Sequence, residues 1–234
     1  MLAIAGLVVD FDGTACLQDV SEVLLDAFGE PGWQAYDEAV DRGEIGLREA
    51  ARHQAAMLRG SREEMLAYAL AHAELDPTFP PFVHWAEGRG LPLELVSDGF
   101  AFYIRPILER AGLGHLPIVT NEMLFDGRPS LRHPNGHPEC LGCGTCKMLA
   151  VERLRAERGP VAFVGEGQSD RYGALYADVV FAKDALVPIC EADGVPYRPW
   201  RTFDEVRVDL EELTELPGPV APARCPGWRP LAGA

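Results

Sequence analysis

Asp10-Phe-Asp12-Gly-Thr14 sets two carboxylates two residues apart at the end of an apolar run, and Gly13 allows the chain a tight turn there. At that spacing one carboxylate can attack while its neighbour moves protons. Further along come Ser97-Asp98-Gly99, Lys147, and Gly165-Glu166-Gly167-Gln168-Ser169-Asp170. These residue types suit hydrolysis of a phosphate monoester, which needs an in-line nucleophile, an acid for the leaving oxygen and positive charge around the phosphoryl group. Two aspartates cannot supply that charge. It falls to Lys147 and to a cation held by Asp10 with Glu166 and Asp170, and Mg2+ suits a few hard oxygens plus waters. A solvated Asp-Gly turn would account for the first motif taken alone. It does not account for the later groups, each placed after an apolar run or at the start of a helical pattern.

A sheet whose strand ends converge would bring these groups together. The runs Ala3–Val9, Leu91–Val96, Val161–Val164 and Val179–Ala182 read as buried parallel strands. Helical patterns at Phe102–Ala111 and Lys147–Arg158 alternate with them, as in an α/β doubly wound sheet. Ligands of such sheets bind beyond the carboxyl ends of the strands, where the acids fall. Between residues 16 and 76 the strand signal vanishes. Leu47, Ala50, Ala51, Ala55 and Leu58 make an apolar stripe at helical spacing, and Ser61 with Glu64 offers a capping box. The expected organisation is a core of residues 1–15 and 77–216, a helical cap domain of residues 16–76 inserted over the strand ends, and a tail of residues 217–234. The tail, rich in Pro, Gly and Ala, reads as extended or disordered.

Composition bounds the partners. A chain of 234 residues with 47% hydrophobic content can bury one sizeable core and a smaller appendage. Against 21 basic residues stand 36 acidic ones, a formal charge of -15 that disfavours nucleic acid and anionic membranes. The apolar N-terminus has no basic start and meets Asp10 well before the roughly 20 residues of a membrane span, so it reads as a buried strand of a cytoplasmic protein. Nothing in the sequence speaks to oligomeric state. Of six cysteines, Cys140, Cys143 and Cys146 cluster with His133 and His137 close by, at spacings a tetrahedral Zn2+ can use with His137 as a fourth ligand. A loop of reduced thiols packed against the cap is the alternative, and the residues leave both open.

In order and content the four motifs resemble those of the haloacid dehalogenase phosphatases that carry a helical cap between their first and second motifs. The resemblance extends to about residue 213. It implies a Rossmann-like core, with Asp10 as a nucleophile that becomes phosphorylated. Asp12 would be the general acid and base, lending its backbone carbonyl to Mg2+. Ser97 would hold the phosphate, with Asp98 and Gly99 beside the substrate. Lys147 would stabilise charge, and Glu166 and Asp170 would flank the metal. The family usually has aspartate where Glu166 stands, and the extra methylene moves the carboxylate by more than a bond length.

Within that superfamily the chain resembles the phosphoserine phosphatase-like branch. Ser97–Ile104, Cys143–Lys147 and Phe181–Leu186 are similar to the methionine-salvage phosphatases acting on 2-hydroxy-3-keto-5-methylthiopentenyl-1-phosphate. The cap segment Gly43–Glu49 resembles the helix from which phosphoserine phosphatases present an arginine, and that position falls on Gln54. An amide does not replace a bidentate guanidinium, so phosphoserine is disfavoured unless Arg48 or Arg52 reaches in from another turn. Asp19 falls where those enzymes carry a glutamate toward substrate, and it equally fits a helix N-cap. A phosphoethanolamine-type substrate is the runner-up, and a non-catalytic binding protein on a hydrolase scaffold is the alternative of another class.

Overall fold

Gly6–Val9 forms β1, and each of its residues is buried, which is why the segment reads as a continuous apolar run rather than an alternation. The computed structural model describes residues 2–231. After β1 come helices α1 (Val20–Phe28), α2 (Gln34–Asp41), α3 (Leu47–Met57), α4 (Arg62–His72) and α5 (Phe79–Gly88). Strand β2 (Leu93–Phe100), helix α6 (Ala101–Arg110) and strands β3 (Ile118–Leu124) and β4 (Ser130–Arg132) follow. The remainder is α7 (Lys147–Arg158), β5 (Val161–Gly165), α8 (Arg171–Ala174), β6 (Val179–Ala182), α9 (Leu186–Asp193), β7 (Arg198–Pro199) and α10 (Phe203–Glu212).

The strands make one seven-stranded sheet in the order β4-β3-β2-β1-β5-β6-β7. Every neighbouring pair is parallel except β3 with β4. This is the expected doubly wound α/β core. Side chains of β1 alternate between its two faces: Leu7 and Val9 pack with Phe79, Phe203 and Leu210, whereas Val8 packs with Val151, Phe163 and Leu186. Because β1 lies between β2 and β5, Asp10, Ser97 and Glu166 leave the same edge of the sheet side by side.

The chain leaves for α1–α4 and returns through a short paired stem, with Leu17 N donating to Glu74 O at 2.8 Å and Asp76 N to Ala15 O at 3.0 Å. Along α3, Ala50, Ala55 and the following Leu58 are buried, in keeping with the apolar stripe. Ser61 and Glu64 form the anticipated reciprocal capping box at the start of α4. No described helix is long and apolar enough to cross a membrane.

Two expectations need revision. Strand β2 continues past Val96 through Ser97-Asp98-Gly99, so the second motif lies within the strand, where its pairing with β3 shifts register between Val96 and Phe100, rather than after it. From residue 217 to 231 the tail has neither helix nor strand and is docked on the rest of the chain; residues 232–234 lie outside the described residues. Lack of periodicity excludes helix and strand, yet single backbone bonds suffice: Gly218 N to Asp178 O at 3.1 Å, Ala221 N to Leu175 O at 2.6 Å, and Leu141 N to Arg229 O at 2.7 Å. Arg229 also donates through Nη2 to the carbonyls of Gly43 at 2.6 Å and Ile45 at 3.1 Å, just ahead of α3. The tail therefore straps the helical insert to the loop before α7. Arg229→Ala is expected to speed amide hydrogen exchange over residues 43–48 severalfold while leaving α7 protected. Unchanged exchange there would show that the strap holds nothing.

Candidate active site

Asp10 directly follows β1, and its amide donates to Val164 O at 3.0 Å, so the loop is anchored to β5 before it turns. Gly13 takes the turn at φ 70°, a conformation that favours glycine. A Cβ at Gly13 would stand 2.8 Å from Glu166 Cδ. The extra methylene of Glu166 is thus accommodated against the one residue of the turn without a side chain. A second glycine is required by proximity alone: a Cβ on Gly99 would stand 2.3 Å from Asp12 Oδ2 and 2.2 Å from Tyr103 Oη.

Lys147 opens α7 and is 1% exposed. Its Nζ donates to Asp10 Oδ1 at 2.7 Å, Asp170 Oδ1 at 2.5 Å and Ser169 Oγ at 2.9 Å. Asp170 Oδ2 accepts from Glu166 N at 2.8 Å and Gly167 N at 2.9 Å, which shapes the acidic loop. Asp12 Oδ1 accepts from Val20 N at 3.0 Å, and its Oδ2 from Ser97 Oγ at 3.1 Å and Tyr103 Oη at 3.0 Å. Asp98 turns toward the approach to α7, where its Oδ1 accepts from Thr145 N at 2.6 Å, and it also borders the cavity.

Charge in this site is poorly balanced. Burial, then Asp170, lifts the Asp10 carboxyl well above its ordinary range. Burial, then Asp19, lifts Asp12 to about 7, against three hydrogen-bond donors that favour its anion. Glu166 is likewise pushed up to about 7 by burial and then by Asp170. Burial alone would lower Lys147, but Asp10 and Asp170 beside it raise the ammonium above its ordinary value, so it stays charged. One ammonium thus faces three carboxylates. Ligating atoms of Asp10, Glu166 and Asp170 lie within 4.8 Å of one another, and among the described residues they are the one such group of three or more His, Cys, Asp or Glu. Hard oxygens with excess negative charge suit Mg2+.

Above these groups lies a cavity of about 420 Å3, roofed by α1–α3. Asp10, Asp12, Ser97, Asp98, Gly99, Glu166, Asp19 and Gln54 all border it. Asp19 caps α1, accepting from Glu22 N at 3.0 Å, and lines the cavity as well, so its two readings are compatible. Gln54 Nε2 donates to Asp37 Oδ1 at 2.8 Å. Arg48 does not reach in, for its Nε donates to Cys143 O at 2.7 Å. Among the described residues no arginine or lysine lines the cavity, Lys147 lying beneath its floor. Cys140, Cys143 and Cys146 sit away from it, against the tail, and His137 accepts from Glu139 N through Nδ1 at 3.0 Å. No three of these ligand atoms come within the separation that the acids show. Sequence reasoning missed Tyr103, Ser169, and Asn121, whose Nδ2 donates to Asp98 O at 2.7 Å. Tyr103 reads as one more core aromatic on α6; its hydroxyl's partners carry no local signal.

An aspartate pair, a buried lysine and a second pair of acids at the strand ends of a parallel α/β sheet define the phosphoryl-transfer class of hydrolases. The chain belongs to one family of that class: residues 7–174 match the haloacid dehalogenase-like hydrolases. It is 31% identical over 214 residues to the bifunctional enzyme MtnB/MtnX of Bacillus licheniformis, a match covering 90% of this chain and 50% of that protein. With the 2-hydroxy-3-keto-5-methylthiopentenyl-1-phosphate phosphatase of Geobacillus kaustophilus it shares 30% identity over 212 residues, covering 88% of this chain and 96% of the relative. Among solved structures, a phospho-aspartyl intermediate analogue of phosphoserine phosphatase matches at TM-score 0.66 and 16% identity, covering 90% of this chain and 99% of that one. This last likeness is one of fold.

Lys147→Met would leave the acids without their buried cation, a change that typically costs about 3–5 kcal/mol. Urea unfolding of metal-free protein should show a loss of that order. A loss below about 1 kcal/mol would mean that the acids do not depend on the ammonium.

Proposed function

We propose that the chain is a Mg2+-dependent phosphomonoester hydrolase that forms an aspartyl-phosphate on Asp10 and acts on 2-hydroxy-3-keto-5-methylthiopentenyl-1-phosphate. The observation that carries the chemistry is Lys147, which bonds Asp10 Oδ1 and Asp170 Oδ1, orients Asp10 at the cavity floor and opposes the rise that burial imposes on its carboxyl. Asp10 Oδ2 attacks phosphorus in line, and the bond from phosphorus to the leaving oxygen breaks as Asp12 protonates that oxygen. Asp12, now ionised, takes a proton from water, which attacks the aspartyl-phosphate, releases phosphate and restores Asp10. A group that must alternate in this way works best with a pKa near neutrality, and Asp12 lies at about 7. Ser97 releases Asp12 to hold a phosphoryl oxygen, and Lys147 offsets the charge on the phosphoryl group. Asp10, Glu166, Asp170 and the Asp12 carbonyl would hold Mg2+, which supplies charge neutralisation to the phosphoryl oxygens.

The substrate reading rests on the curated relatives and on the cavity's charge. Residues 16–76 act as the lid, over a core of residues 1–15 and 77–216, and what the lid offers is acid and hydrocarbon: Asp19, Glu22, Asp37 and Asp41 beside Leu24, Leu25 and Leu58. A phosphate with an uncharged hydroxy-keto methylthio chain fits such a lining. Phosphoserine does not, because its carboxylate would find no guanidinium and several acids. An amine-bearing substrate such as phosphoethanolamine is the second reading, favoured by those same acids. The six cysteines, none in a disulfide, support a cytoplasmic location. The formal charge of -15 supports small metabolites rather than nucleic acid as partners.

Turnover of a phosphometabolite panel, with and without Mg2+, tests the reading. Greatest kcat/KM on the methylthiopentenyl phosphate supports it, preference for phosphoethanolamine supports the second, and no turnover of any phosphomonoester would leave a binding protein on a hydrolase scaffold. Asp10→Asn should abolish turnover without unfolding the chain; activity above a tenth of wild type rules out the nucleophile assignment. Asp12→Asn should slow the reaction roughly 10²–10⁴-fold, most for poor leaving groups. Equal losses on aryl and alkyl phosphates would count against the acid role. Glu166→Ala should raise the Mg2+ concentration needed for half-maximal activity at least tenfold, whereas an unaltered Mg2+ titration would remove Glu166 from the metal site.

A further inference from the structure

Four cysteines far apart in sequence meet outside the catalytic cavity. Cys140, Cys143 and Cys146 of the loop before α7, and Cys225 of the tail, border one small void with His137 and Trp228. All four are buried, at 4%, 7%, 6% and 6% exposure, and none is in a disulfide. Buried thiols need no partner as such, since free cysteine behaves as a small apolar residue. What needs a reason is the treatment of Cys140, whose Sγ accepts two backbone N–H bonds, from Gly142 and from Arg229, each at 3.2 Å. The first closes the tight turn of Cys140-Leu-Gly-Cys143; the second arrives from the tail. A thiol is a weak acceptor, and two backbone N–H groups aimed at one sulfur fix its position as outer contacts fix a metal ligand.

Four sulfurs around one small void make the donor set of a soft divalent cation, to which a coordinating thiol binds deprotonated. The void measures about 10 Å3, roughly the space of one small sphere between the four residues.

We propose that Cys140, Cys143, Cys146 and Cys225 bind one Zn2+ as a four-thiolate site that clips the tail onto the loop ahead of α7. The fourth ligand is Cys225 rather than His137, whose Nδ1 accepts from Glu139 N and whose ring lies edge-on to Trp228. In this structure no three of the sulfurs lie within 4.8 Å of one another, as the acid cluster's oxygens do. Rotation about the Cα–Cβ bonds must therefore draw them to Zn–S distances near 2.3 Å. Binding converts four thiols to thiolates and releases their protons, so affinity falls as pH is lowered. Cys146 is also the residue at which α7 begins, immediately before Lys147. The ion would hold the start of that helix, and the site stands whether or not the catalytic reading does.

Metal analysis of the full chain, purified without chelators and incubated with Zn2+, is expected to find about one zinc per chain. Cys225→Ser and Cys143→Ser should retain less than a tenth of it, whereas His137→Ala and Cys190→Ser should keep it all. Zinc-free wild-type protein, Cys225→Ser with full zinc, or His137→Ala without zinc would each overturn the proposal. Should the serine variants fail to fold, Co2+ bound to wild-type protein gives an independent reading: four thiolates produce an intense sulfur-to-metal charge-transfer band, and its absence overturns the site equally.

Discussion

Lys147 is the point on which the site depends, because its ammonium joins the ends of three separate segments at one buried position. Through Asp10 it holds the loop after β1, and through Ser169 and Asp170 the acidic loop after β5, while its own backbone begins α7. A cation fully removed from water is tolerable only with partners of this quality, and each partner carboxylate is tolerable only because of the cation. The arrangement still leaves excess negative charge. That excess suits a divalent cation, and burial pushes Asp12 and Glu166 up to about 7, with Asp19 adding to the first and Asp170 to the second.

The parts of this design that were legible in the sequence share one property: their signal is local. Val8 and Val164 lie in strands covered on both faces, so their apolar runs show without any knowledge of partners. Strand β3 escaped notice because Thr120, Asn121 and Glu122 interrupt its run, and Thr120 and Asn121 are buried for their bonds to Gly99 O and Asp98 O rather than for their hydrophobicity. Strand β7 has two residues, too few for any pattern. The acids and the lysine could be found from type and motif order, whereas Tyr103 acts on Asp12 across 91 residues. Arg229 reaches Gly43 across 186. Bonds of that span leave no trace in spacing, and a tail without periodicity hides them altogether.

Glu166 shows how a departure from a family's usual residue can be absorbed locally. A longer side chain at this position has to find room, and the room comes from Gly13 on the opposing loop, whose missing Cβ would collide with it. The two positions are therefore coupled: a side chain at Gly13 would be opposed both by its positive φ and by Glu166.

The loop from β4 to α7 ties the remaining parts together, and the helical insert α1–α4 is held by it as well as by its stem. Arg48 donates through its backbone N to Gly142 O at 3.3 Å and through Nε to Cys143 O, while Arg229 connects the same loop to Gly43 and Ile45. The insert thus leans on the segment that ends at Lys147, and Asp98 fixes that segment from the sheet side through Thr145 N. Displacing the helical insert would disturb bonds within a few residues of the buried ammonium. The insert and the charge at the cavity floor are for that reason linked through the cysteine loop.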